Sequence, residues 1–135
     1  MMSRSLTSLI GIPWRIGGRD KEGCDCLGLA LMAQREFWGR EIPDVWRYDR
    51  ESYREISRAA PRDLMRLGAV EVQVPQDGDV AFLLIRGYGH LSTVIGGALL
   101  TIYEGSRSLW RKPGARLPFR YFRFVEGVRA WESER

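Results

Sequence analysis

The stretch Gly23-Cys24-Asp25-Cys26-Leu27-Gly28-Leu29 constrains this chain most, because it sets a thiol at the start of an apolar helix. From Leu27 to Trp38 the residues are mostly strong helix formers, and Gly39 follows as a stop signal. Asp25 is of the type that caps a helix N-terminus, which places Cys26 in the first turn. Unpaired N–H groups and the positive dipole end favour a thiolate there. The expectation is a lowered pKa for Cys26 and a nucleophile, provided that a base is near.

The chain contains one histidine, His90, in Gly89-His90-Leu91-Ser92-Thr93-Val94-Ile95-Gly96-Gly97, far downstream and in a strand-like setting. A cysteine with a histidine distant in sequence is the layout of a papain-like thiol site, whose partners meet only in the fold. The bland reading is a buried cysteine acting as a small hydrophobe and a histidine satisfied in the core. Cys24 reads as a bystander thiol. Two cysteines at i and i+2 exclude an internal disulfide framework, and with one histidine they fall short of a zinc set. No metal or cofactor is expected.

At 135 residues, 44% hydrophobic and 28% charged, the sequence reads as one globular domain over residues 1–135. No apolar run reaches membrane-spanning length, so membrane insertion is not expected. The start, Met1-Met2-Ser3-Arg4-Ser5-Leu6, lacks a signal-peptide core. Net charge is +4, and Lys21 and Lys112 are the only lysines. Such an arginine-dominated balance suits paired and interface contacts or an anionic polymer. No nucleic-acid-binding motif accompanies it, so a nucleic-acid partner is not expected.

Around the helix the pattern predicts a short helix over Ser3–Ile10, a turn-rich loop through Pro13 and Gly17-Gly18, and two short helices between Tyr48 and Gly68. In the second of these, Leu64, Met65 and Leu67 are expected inside. Strands are predicted over Ala69–Val74, Val80–Ile85, the His90 segment, Leu99–Tyr103 and Phe119–Val125. Lys112-Pro113-Gly114 reads as a turn and Trp131–Arg135 as a frayed tail. The fold expected is α+β, with N-terminal helices packed on an antiparallel sheet of about five strands. Gly96-Gly97 is a two-residue hairpin signal. Counting back from it pairs Ile95 with Ala98, Ser92 with Thr101 and His90 with Tyr103. Thr101 then lies on the His90 face, diagonal to the imidazole, and Glu104 on the other.

The motif Asp25-Cys26-Leu27-Gly28-Leu29 resembles the nucleophile motif of NlpC-type cysteine peptidases, in the form found in their phage tail-associated branch. Ile10-Gly11-Ile12-Pro13-Trp14-Arg15-Ile16-Gly17-Gly18 is similar to the family's Gly-Thr-Pro-Tyr-Arg-Trp-Gly-Gly segment. Asp77-Gly78-Asp79-Val80-Ala81-Phe82 resembles its Pro-Gly-Asp-Leu-Val-Phe strand, and Gly89–Gly96 its general-base strand. The matches run in the family's order over residues 6 to 106. The resemblance implies a papain-like domain with Cys26 as nucleophile and His90 as base. The third, orienting position, usually His, Asn or Gln, falls on Thr101, a weaker acceptor. Trp14 stands where the family has a Tyr near the oxyanion, and Asp25 is a further candidate for oxyanion or substrate contact.

The substrate implied is the peptide stem of peptidoglycan, cut by an endopeptidase carried at a virion tail tip among other tail-tip proteins. Trp46, Trp110 and Trp131 are expected at the surface, against such partners. Two alternatives stand beside this reading. One is a structural tail-tip subunit that kept the fold and lost turnover; the other is a thiol amidase or acyltransferase acting on a small acyl substrate.

Overall fold

The computed structural model describes residues 6–113 and 116–125. The start of the helix expected over Ser3–Ile10, part of the Lys112-Pro113-Gly114 turn, Trp131 and the tail lie outside the described residues. The chain enters through a 3-10 turn, Leu6–Leu9, and a two-residue-per-strand hairpin, β1 (Arg19–Asp20) and β2 (Gly23–Cys24). Helix α1 (Cys26–Trp38) follows directly. Asp25 caps it by accepting from the Gly28 N–H at 3.0 Å, and Gly39 ends it in the left-handed conformation at φ 65°. The helix buries Leu27, Leu29, Met32, Ala33 and Phe37. An apolar face this complete is more than helix propensity supplies, and its burial holds the helix in place.

Two short helices, α2 (Tyr53–Arg58) and α3 (Ala60–Arg66), come next, with Pro61 in the first turn of α3, where its missing N–H is harmless. Leu64 and Leu67 are buried, but Met65 is 44% exposed, contrary to expectation, because it faces an open groove. The sheet consists of β3 (Ala69–Val72), β4 (Val80–Ile85), β5 (Tyr88–Ile95), β6 (Ala98–Thr101), β7 (Leu109–Arg111) and β8 (Arg120–Phe124). Their order is β3-β8-β4-β5-β6-β7 and every pairing is antiparallel.

The architecture is thus α+β, with six strands in the sheet rather than about five. The strand not foreseen is β7, which pairs Leu99 with Arg111 and Thr101 with Leu109. Three residues are too few for an alternating pattern to register, and β7 is held by its neighbour and by Trp110, which donates its indole N–H to the Ile95 carbonyl at 2.9 Å. The core lies between α1 and the sheet, where Leu9, Leu27, Met32, Leu91, Ile95, Leu100 and Phe122 are almost wholly enclosed. Helix α2 packs across β5. The contact is so close that a Cβ at Gly89 would stand 1.9 Å from the Ser57 carbonyl oxygen. The Gly89 N–H donates to Ser57 Oγ at 3.0 Å, fixing the helix end beside His90.

Candidate active site

Cys26 reaches the site from the first turn of α1, and His90 from β5, which packs against that helix. Both line one cavity of about 260 Å³, with Trp14, Tyr53, Tyr88 and Tyr103 around them. A larger open groove of about 620 Å³ beside α3 holds arginines but neither a nucleophile nor a base.

The β5–β6 hairpin sets the third group. Gly96 and Gly97 both take left-handed backbone, at φ 59° and 78°, and close a two-residue turn with Ile95 opposite Ala98. Three pairs further on, the Ser92 hydroxyl donates to Thr101 Oγ1 at 3.0 Å. Thr101 Oγ1 lies 2.7 Å from His90 Nε2, a hydrogen bond that occupies this ring nitrogen and leaves Nδ1 for the thiol. Tyr103 stacks flat on the imidazole, with ring centroids 4.6 Å apart and planes 6° from parallel. The ring is therefore held on an edge and on a face.

The sulfur itself is bonded elsewhere. Cys26 Sγ is 3.6 Å from the Tyr53 hydroxyl, and the thiol points at the Gly89 carbonyl at 3.9 Å. Its hydrogen bonds go to these groups and not to the imidazole. Burial pushes the Cys26 thiol up to about 11, against the help that backbone groups of Leu91 and Leu27 and the Tyr53 hydroxyl give to the charged form. This corrects the lowered value expected from the helix start. The dipole end is present, but the sulfur is enclosed and desolvation outweighs it. Cys24 is pushed further, to about 12, by burial and by the neighbouring charge of Asp25. Burial holds His90 down at about 4. At neutral pH the resting pair is thiol and neutral imidazole.

Asp25 is next to Cys26 but does not line the cavity. It is fully buried and takes four donors: the Gly17 N–H at 2.7 Å, the Gly28 N–H at 3.0 Å, Arg19 Nη1 at 3.0 Å and the Tyr48 hydroxyl. A carboxylate has about four acceptor positions, so none is left for a substrate. Trp14 lines the cavity wall, its ring edge against Tyr53 at 6.3 Å and the Arg50 guanidinium 5.9 Å from its centre. Arg50 also pairs with Glu104 at 3.1 Å, tying the segment before α2 to the loop after β6 across the cavity mouth.

Sequence reasoning missed Tyr53 and Ser92 as parts of the site. Tyr53 falls in a segment that the sequence marks only as two short helices; Ser92 was legible from the hairpin count as the partner of Thr101. Among the described residues, no group of His, Cys, Asp and Glu is placed to hold a metal ion, and no helix is long and apolar enough to cross a membrane. Against known proteins, the chain matches no family model and no curated protein sequence.

Proposed function

We propose that this protein is a papain-like thiol hydrolase of NlpC type that cleaves peptide-stem amide bonds of peptidoglycan, acting from a phage-type tail tip among other tail proteins. The observation that carries the reading is the single cavity lined by Cys26 and His90, with Thr101 on the far ring nitrogen. In the reaction, His90 Nδ1 takes the proton of Cys26 Sγ–H as the sulfur attacks the amide carbonyl. The Cys26 backbone N–H, free at the helix start, faces the developing oxyanion. His90 then returns the proton to the leaving amine, and water hydrolyses the thioester by the same route in reverse. Incubation with purified muropeptides tests this. The wild type is expected to release shortened stems and Cys26→Ala none; intact muropeptides with both would refute it. Finding the protein only free in lysate, and not in purified particles, would refute the tail-tip placement.

A second reading, a structural subunit of the same fold without turnover, is favoured by a specific observation. The thiol is neutral and bonded to Tyr53 and Gly89 in place of the imidazole. It predicts that Cys26→Ala assembles normally and that no muropeptide is cut.

A further inference from the structure

One arginine lines the Cys26–His90 cavity, Arg86, and a second, Arg54, lies over the turn that carries it; neither has a carboxylate partner among the described residues. Arg86 lines the cavity from the turn between β4 and β5, closed by the Ile85–Tyr88 pair. It has φ 54°, and among the described residues it is the one non-glycine residue with a positive φ; Gly87 follows at 86°. Such turns favour Asn, Asp or Gly at their first position, because left-handed backbone drives a Cβ against a carbonyl. An arginine there strains the turn, so its guanidinium needs a reason other than the fold.

Arg54, on α2, lies over the same turn. Its guanidinium is so close to Gly87 that a Cβ there would stand 2.4 Å from Nη2, and it sits 5.8 Å from the centre of the Tyr88 ring. Tyr88 packs on Tyr53 at 5.7 Å, and the Tyr53 hydroxyl touches the Cys26 sulfur. The carboxylate that lines the cavity, Glu104, is already taken by Arg50. Arg54 is thus held one ring beyond the tyrosine that contacts the sulfur, and the exposed Arg86 lines the cavity from the turn beneath it. Their fork geometry suits a carboxylate, and stacked guanidinium is weakly hydrated and ready to bind one.

We propose that Arg54 and Arg86 form an anion subsite that receives a carboxylate of the substrate, so that the cavity selects acyl or peptidyl groups carrying one. The selection of a substrate rests on Cys26 being the attacking thiol; the subsite itself does not. The test uses two alkylating reagents that differ only in that group, bromoacetyl-glycine and bromoacetyl-glycinamide. The rate ratio at Cys26, followed by mass spectrometry, is compared with that of mercaptoethanol, so that thiol ionisation cancels. At low salt the native ratio is expected to favour the carboxylate reagent by about three- to tenfold, the range two partly exposed guanidiniums supply. It should fall toward the mercaptoethanol value in Arg54→Gln and in Arg86→Asn. Arg86→Asn should also raise the melting temperature, by about 2–4 °C, since Asn accepts left-handed backbone. A native ratio equal to that of mercaptoethanol, or one unchanged in both variants, would overturn the subsite. If muropeptides stay intact while the ratio persists, the hydrolase reading fails and the subsite stands.

Discussion

Asp25 and Cys26 are neighbours in sequence and opposites in chemistry. The carboxylate of Asp25 is saturated: two backbone N–H groups, a guanidinium and a phenol converge on it, and Arg19 goes on to Asp44 at 2.7 Å. Cys26, one residue on, has a sulfur with only long contacts and a wall on an open cavity. The first arrangement locks the β1–β2 hairpin, the helix start and the Tyr48 segment together. The second leaves the sulfur with two long contacts and a place in the cavity wall. The contrast shows how a polar knot can fix the position of a neighbouring thiol without touching its sulfur.

Breaking the knot should have the largest effect. Asp25→Ala leaves Arg19 to Asp44 alone, takes the acceptor from the Tyr48 hydroxyl and the Gly17 N–H and removes the cap of α1, and is expected to cost about 3–5 kcal/mol in urea unfolding. A loss below about 1 kcal/mol would show that the knot is slack.

The next effect belongs to the cavity and depends on pH. His90 is held down to about 4, below its ordinary value of 6.5. Between those values the unfolded chain binds a proton that the folded chain refuses, so stability falls as pH is lowered through this window. The expected loss is roughly 3 kcal/mol from pH 7 to pH 4. Because the chain has no other histidine, His90→Gln should flatten the curve between pH 6.5 and 4.5. A wild-type curve already flat there would mean that His90 is not desolvated.

The smallest effect sharpens the link between Thr101 and the ring. Thr101→Val leaves His90 Nε2 and the Ser92 hydroxyl without their shared partner, at a cost of about 1–2 kcal/mol. The nitrogen spectrum of the single imidazole should change its tautomer balance in this variant. An unaltered spectrum would remove Thr101 from the role of orienter.

Most of what the sequence made legible was local. Asp25 before an apolar run and Gly39 after it define α1, and both ends hold in the structure. The Gly96-Gly97 pair sets the β5–β6 register, which was enough to place Thr101 beside His90 by counting. What was not legible depends on enclosure. The Cys26 pKa has the opposite direction from that expected, because the dipole is a property of the helix and desolvation a property of everything packed over it. Trp46, expected at the surface, is 3% exposed and packs in the core. Trp110 is at the surface, as expected. Tyr53 reaches the sulfur through the packing of α2 on β5, which no spacing in the sequence announces.

The sheet order has a consequence for how the protein assembles in time. Strand β8 lies between β3 and β4, partners that precede it in the chain by some 50 and 40 positions. Until β8 is in place, β3 has no strand beside it and β4 has one open side. The helices and the β4–β5–β6 meander can form from contacts near in sequence, but the sheet is sealed only when the last strand slides into a slot already flanked on both sides. Closing such long loops is entropically slow. Docking of β8 is therefore the step expected to limit the folding rate, and Phe122, buried at its centre between the two flanking strands, is the side chain that locks it.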